Sequence, residues 1–310
     1  MRAAAAITVL LAALAAEAFD LDAWSAKCAE ADEISAKMRT LYGKYASEAV
    51  DPALDLSIPV ETYPSGAIKT LLTADKARVI FGSDYVWGEG VRIGQFSETG
   101  STQSLVFAQS CLVNRVSKSG WIEGHARADH AGAQLEGDGV YISLDGFFAH
   151  ISSNAFVKVR DVKIGGAEAA EVVLSGSRAA YDRSAGVVMF DGGVSLLEGG
   201  RRLDCERAFA FLEGTNDLRR VVALGDVRFS DSSRRGGCPR AVYLRAAEKL
   251  EMHSSEGQPA FIEDVGETKW RLEGRKIVFW PRTEQVEVDS ATIVADTSKL
   301  DAKILEGGAL

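Results

Sequence analysis

The sequence predicts a mainly β protein, with two consecutive β regions preceded by an export leader and one amphipathic helix. Three observations carry this. Short alternating apolar and polar runs, separated by Gly-rich steps, fill nearly everything after Ile58, and alternation of period two marks a strand with one buried face. One helical pattern precedes them, and patterns longer than two helical turns do not return. Strand phrases repeat along the chain, as expected when a unit that cannot bury its own apolar face is stacked on copies of itself.

Residues 1–18 read as a signal peptide. Arg2 precedes an apolar run from Ala3 to Ala16, shorter than the about 20 helical residues that cross a bilayer. Ala16-Glu17-Ala18 then has the small-x-small form of a cleavage site, so the mature chain is expected to start near Phe19, exported. An uncleaved anchor is the alternative. Residues 19–57 hold the helix and a linker. Leu21, Trp24, Cys28, Ala31, Ile34, Met38, Leu41 and Tyr45 recur at three- and four-residue steps, which predicts an amphipathic helix over 20–49. Asp51-Pro52 and Ile58-Pro59 stop it. Its polar face mixes Lys27, Lys37, Arg39 and Lys44 with Glu30, Asp32, Glu33 and Glu48, which suits packing against the protein or a partner better than lying on a membrane.

The first β region, 58–165, shows extended runs over 60–72, 77–81, 85–95, 104–116, 120–126, 133–144 and 156–164. The second spans 166–297, with Gly166 to Ala170 as the seam, and residues 298–310 lose alternation and read as a tail. Residues 246–252 fit either a helix or a strand. The repeated phrases are Leu72-Thr73-Ala74-Asp75-Lys76-Ala77 against Leu203-Asp204-Cys205-Glu206-Arg207-Ala208. A Gly-x-Val step also recurs, at Gly192-Gly193-Val194, Gly225-Asp226-Val227, Gly88 to Val91 and Gly137 to Val140. These steps read as turns that open the next strand.

Composition excludes several functions. At 310 residues and 46% hydrophobic the chain can bury a large core, as globular domains of this size do. A net charge of -9 argues against nucleic acid, whose phosphates need a concentrated basic surface. The four histidines, His125, His130, His150 and His253, form no recognisable triad or metal motif, and Glu263 and Asp264 point to opposite faces of a strand. The Gly-rich steps are followed by no helix, so they are not phosphate loops. Cys28, Cys111, Cys205 and Cys238 lack any Cys-x-x-Cys spacing for zinc. Cys205 with Cys238 is the disulfide to test first, and buried free thiols in strands are the alternative. No catalytic group, metal or cofactor is expected.

What remains is an apolar inner face. In the second region the expected lining is Val194, Leu196, Leu203, Phe209, Phe211, Val227, Phe229, Trp270, Leu272 and Phe279, with Val187 and Met189 on the same face; in the first it includes Leu72, Val79, Phe81, Val91, Ile93, Phe107, Leu112, Ile122, Val140 and Ile142. An ordinary sandwich core would read the same way.

Ala179-Ala180-Tyr181-Asp182, followed by Gly192-Gly193-Val194 and Leu203 to Ala208, resembles the OstA-like (LptA/LptC-like) domain of the lipopolysaccharide-transport bridge proteins. That pattern runs Ala-x-x-Tyr-Asp, a strand, Gly-Asn-Val, a strand, Leu-x-Ala-Asp-x-Ala. Gly193 and Asp226 depart from it at the Asn, and Cys205-Glu206 at the Ala-Asp. The first region, with Leu72 to Ala77 and Gly88 to Ile93, is similar to a second copy. The resemblance implies two open-ended β-jellyrolls in the periplasm that shield lipid A acyl chains of lipopolysaccharide or a related lipid. It also implies partners: other bridge proteins, joined by end-to-end strand pairing, and transport components of the inner and outer membranes. An exported carbohydrate-active enzyme, or a structural β-solenoid or surface protein, is the competing reading.

Overall fold

The computed structural model describes residues 20–47, 53–130, 133–144, 148–162, 170–213, 217–266, 270–281, 283, 285–290 and 292–295. The expected leader, the tail and residues 166–169 of the seam lie outside the described residues.

One helix, α1 (Leu21–Ala46), is followed by β1 (Ala53–Thr62), β2 (Ile68–Val79), β3 (Tyr85–Phe96), β4 (Thr102–Asn114), β5 (Ser119–His130), β6 (Ala133–Ser143) and β7 (Phe148–Val162). Then come β8 (Ala170–Gly176), β9 (Arg178–Asp182), β10 (Val187–Glu198), β11 (Arg201–Glu213), β12 (Asp217–Ser230) and β13 (Arg234–Leu244). The last are β14 (Lys249–His253), β15 (Ala260–Asp264), β16 (Trp270–Gly274), β17 (Lys276–Trp280), β18 (Gln285–Asp289) and β19 (Thr292–Ala295). The fold is mainly β with one helix ahead of it, as the alternation predicts. The ambiguous stretch over 246–252 is a turn leading into β14.

Every ladder is antiparallel, and together they make one 19-stranded sheet. β1 to β7 form a meander, β7 pairs with both β8 and β9, and β10 takes up both again. Hydrogen-bonded ladders therefore join the strands on either side of the boundary expected at residue 166. Beyond β13 the sheet divides: β14 leads to β17 and β18, and β15 leads to β16 and β19.

Each long strand bends once, and the bends line up. Register shifts fall at Ala108/Cys111, Ile122/His125, Asp191/Val194, Asp204/Arg207 and Leu224/Val227 in five ladders along the sheet. Gly90, Gly124, Gly139, Asn154, Gly192, Gly193, Gly225 and Asp226, all with positive φ, follow the same line. Bulges with left-handed residues kink a strand and raise its twist. Their alignment creases the whole sheet into two wings that face each other. The Gly-x-Val steps are thus not turns between strands; they lie inside β3, β6, β10 and β12 and make the crease. At Gly225 (φ 77) a Cβ would come within 2.3 Å of the Glu206 carboxylate, so the bend there requires glycine.

One buried cluster fills the crease. On one wing Ala179, Phe190, Ala208, Ala223, Ala241, Met252, Ile277 and Val288 are successive cross-strand partners. The other wing contributes Leu72, Val91, Ile93, Val194, Cys205, Val227, Cys238 and Ile262 to the same cluster. Ile122, Met252, Ile262 and Ile277 have no exposed surface at all. Three alanines in succession keep one wall thin opposite Val194, Cys205, Val227 and Cys238.

The helix forms a third layer. Asp20 caps it, its carboxylate accepting from the Ala23 N–H at 2.9 Å, as short acidic side chains do at helix starts. Trp24, Ala31 and Met38 pack on Trp121, Tyr141, Phe148, Ala180, Val187, Met189, Phe209 and Phe211, and Tyr45 packs on Trp87 and Leu112. These lie on the outer surface of the wing that carries Phe190 and Met252. The helix runs across the strands, its start over β11 and its end over β3. From Trp24 to Tyr45 it rises about 32 Å at 1.5 Å per residue, against about 34 Å for eight strands at their usual spacing. The expected stripe faces the protein except at Leu21, which is exposed, and Ser35 joins it, its hydroxyl donating to the Ala31 carbonyl at 2.6 Å.

Candidate functional site

The creased interior is the candidate site, and its lining follows from strand parity. In β11, Leu203 and Cys205 face the interior, the bend inserts an odd step, and Ala208 faces the interior next. Phe209 and Phe211 consequently point outward, beneath α1, where Trp24 meets Phe209 edge-on at 6.4 Å. Their expected place beside Leu203 is corrected by that step. Val187 and Met189 are under the helix as well, because the bend at Gly192-Gly193 leaves an even step between the interior residues Phe190 and Val194, so the odd-numbered Val187 and Met189 face outward.

Of the remaining expected lining, Val194, Val227 and Phe279 are fully buried in the interior, and Leu203, Phe229, Trp270 and Leu272 are half-buried against it. Leu196 is half-buried on β10. In the first region Leu72, Val91, Ile93, Ile122, Val140 and Ile142 line the interior as expected. Leu112 lies under the helix instead, and Val79, Phe107 and Phe81 are exposed. Phe190 and Cys238 are interior residues that the alternation alone did not single out. Taking the Gly-x-Val step as a bend within one strand would have recovered Phe190.

A buried polar patch lies toward the outer edge of one wing, where Thr70 donates to Glu61 at 2.9 Å and Ser104 and Arg183 donate to Gln95 Oε1 at 3.0 and 3.4 Å. Along the crease the interior is apolar, and it is half-open at both ends. At one end Leu56, Ile58 and Val60 of β1 are only partly covered; at the other Leu250, Trp270, Leu272, Val286 and Val288 are. β1, β18 and β19 each pair on one side only among the described residues. Pro59 sits in β1, an edge position where its missing N–H breaks no ladder bond. At the β12–β17 end Phe229 and Phe279 stack at 6.2 Å, and the Arg234 guanidinium lies 5.3 Å over the Phe279 ring. That end offers a greasy interior with a cation at its rim.

The groups that could do chemistry lie elsewhere and are dispersed. His125 Nδ1 is 3.1 Å from Asp138 Oδ1 on the exposed outer side of the crease. The Asn154 amide donates to Asp138 Oδ2 at 2.6 Å, and this bond holds the Asp138 carboxyl below the usual range. Among the described residues no group of three His, Cys, Asp or Glu could hold a metal ion. The polar contacts under the helix are structural. Lys27 pairs with Asp182, and Asp32 lies 3.7 Å from His150 and 3.8 Å from Arg178. Burial pushes the Asp182 carboxyl up, but bonds from Lys27, Ser184 and the Ala185 N–H outweigh it and hold it low.

All four thiols are free. Cys205 on β11 and Cys238 on β13 have β12 between them, about 10 Å at strand spacing, beyond the roughly 7 Å Cα separation a disulfide spans. The suggested pairing gives way to the alternative of buried thiols inside strands.

No known protein family matches the sequence, and no curated protein does. Among solved structures the chain is similar to the crystal structure of LptH, the LptA-homologous periplasmic component of the lipopolysaccharide transport device of Pseudomonas aeruginosa. The identity is 14% and the TM-score 0.36, over 40% of this chain and 94% of that one.

Proposed function

We propose that this protein is a non-catalytic lipid carrier of the periplasm, whose two wings part to take acyl chains between them. The observation that carries the reading is the apolar interior along the crease, half-open at both ends, with no metal-binding cluster of His, Cys, Asp or Glu among the described residues. Acyl chains must be kept from water at about 0.8 kcal/mol per methylene, and an apolar crease supplies that shelter without turnover. The lipid is proposed as lipopolysaccharide on the resemblance of Ala179 to Ala208 to the OstA-like pattern. The unpaired edges of β1, β18 and β19 suit end-to-end strand addition to neighbouring bridge proteins. The proposed lipid-facing residues are Val194, Leu196, Leu203, Val227, Phe229, Trp270, Leu272 and Phe279; Phe209 and Phe211 instead hold the helix.

A photocrosslinking amino acid separates the two groups. Placed at Phe279 in cells, it is expected to label lipopolysaccharide; placed at Phe209, it is expected to label nothing but protein. Absence of a lipid adduct at Phe279, Leu203 and Trp270 alike would sink the reading. It would favour a purely structural surface protein, which the complete burial of Ile122, Met252 and Ile277 also suits.

A further inference from the structure

Two hairpin tips at the far edge of the helix-covered wing carry large apolar side chains in full solvent. Phe81, between β2 and β3, is 92% exposed, and Val116, between β4 and β5, is 73% exposed. The turns are closed and tied to each other. The Arg115 N–H donates to the Asp84 carbonyl at 2.9 Å, and the Arg115 guanidinium reaches the Ser83 carbonyl at 3.4 Å. Asn114 Oδ1 accepts from the Val116 and Ser117 N–H groups at 2.9 and 3.0 Å. Phe81 and Val116 are therefore presented together, on preformed turns, with no core to bury them.

The charges around them are one-sided. Behind Phe81, a cleft of about 410 Å³ between the helix end and the β2–β3 turn is lined by Lys44, Tyr45, Arg78, Val79 and Ile80. Arg115 and Lys118 flank Val116. Among the described residues of these two turns and the helix end, Asp84 is the one carboxylate, in a chain whose net charge is -9. Arg78 is half-buried, stacked 4.7 Å over Trp87, which leaves Lys44, Arg115 and Lys118 as the outer cations. An apolar tip flanked by such cations is the composition that seats in the headgroup layer of an anionic bilayer, apolar part inward and cations among the phosphates.

We propose that the Phe81–Val116 tip is a membrane-surface anchor that sets this wing edge-on against an anionic bilayer. The inference is independent of what the interior carries. A protein partner fits less well, because the tip offers two protruding side chains and a ring of like charge rather than a broad complementary face.

The test uses the full chain carrying Phe81→Trp and vesicles whose acyl chains are brominated, with and without phosphatidylglycerol. Bromine quenches only tryptophans that enter the bilayer. With anionic vesicles, extra quenching above the background of the chain's five tryptophans is expected at position 81. None is expected for Thr99→Trp, in the β3–β4 turn at the opposite wing's tip. Adding Arg115→Ser and Lys118→Ser to Phe81→Trp should weaken the vesicle affinity by about thirtyfold. Raising the salt should weaken it too. Far-UV circular dichroism establishes that each variant is folded. No quenching at position 81, equal quenching at 81 and 99, or an affinity indifferent to anionic lipid and to the two arginine and lysine changes overturns the proposal.

Discussion

Phe229 owes its place to an absence across the ladder. Its cross-strand partner is Gly236, and a Cβ there would meet the Phe229 ring at 2.1 Å and the Phe261 carbonyl at 2.7 Å. The glycine lets the ring lie flat against the strand, from where it stacks on Phe279. Gly236→Ala is expected to destabilise the protein by about 1–3 kcal/mol, the usual cost of overpacking. Combining it with Phe229→Ala should recover part of that loss, measured by urea unfolding in a double-mutant cycle. Strict additivity would show that the ring does not use this space. The thiols make a second test at the same scale. Burial pushes Cys28 and Cys205 up to about 11 and Cys111 and Cys238 up to about 12. Thiols so shifted are protonated at neutral pH and poor nucleophiles. Iodoacetamide should leave the native chain unlabelled while adding four groups after denaturation. Rapid native labelling at any buried strand cysteine, or an oxidised pair, would contradict this.

The helix is held by aromatic packing and by polar links that include Lys27–Asp182, Tyr42–Ser110 and Asp32 beside His150, and the last of these is sensitive to pH. His150 is 1% exposed beneath the helix, and its Nδ1 has no hydrogen-bond partner. Burial lowers its pKa from 6.5, Asp32 of the helix pulls it back up, and Arg178 lowers it again. A histidine depressed in the folded state is protonated first in the unfolded one. Its contribution is thus fully present above pH 6.5 and is lost as pH falls below that value. Stability to urea should fall between pH 7 and 5.5 in the native chain and fall less in His150→Gln; parallel profiles for the two would remove His150 from the account. The helix was legible because Trp24, Ala31, Met38 and Tyr45 recur every seven residues on one face, with Cys28, Ile34 and Leu41 between them. Its binding surface was not. Val187, Met189, Phe209 and Phe211 belong to strands with two apolar faces, one for the interior and one for the helix, and alternation cannot say which is which. The crease compounds this, since an odd step inside β11 reverses parity between Cys205 and Ala208.

At the scale of the molecule, the sequence revealed a repeated β unit but not its continuity. The ladders pass from β7 to β10 through β8 and β9, whereas the domain-sized β regions on either side of Gly166 to Ala170 suggested a seam. Ladder bonds are made by backbone, and backbone pairing leaves no trace in composition. The Gly-x-Val repeats were visible and their spacing was the right clue, yet a Gly-rich step reads the same whether a strand ends there or only bends. The helix gives this long sheet an uneven mechanical character. It crosses β3 to β11 like a batten across planks, resisting flexure between those strands. β12 to β19 and the entire opposite wing have no such splint among the described residues. Any hinge-like opening of the crease is therefore expected to start where Phe229, Trp270 and Phe279 lie, with the battened strands serving as the fixed jaw.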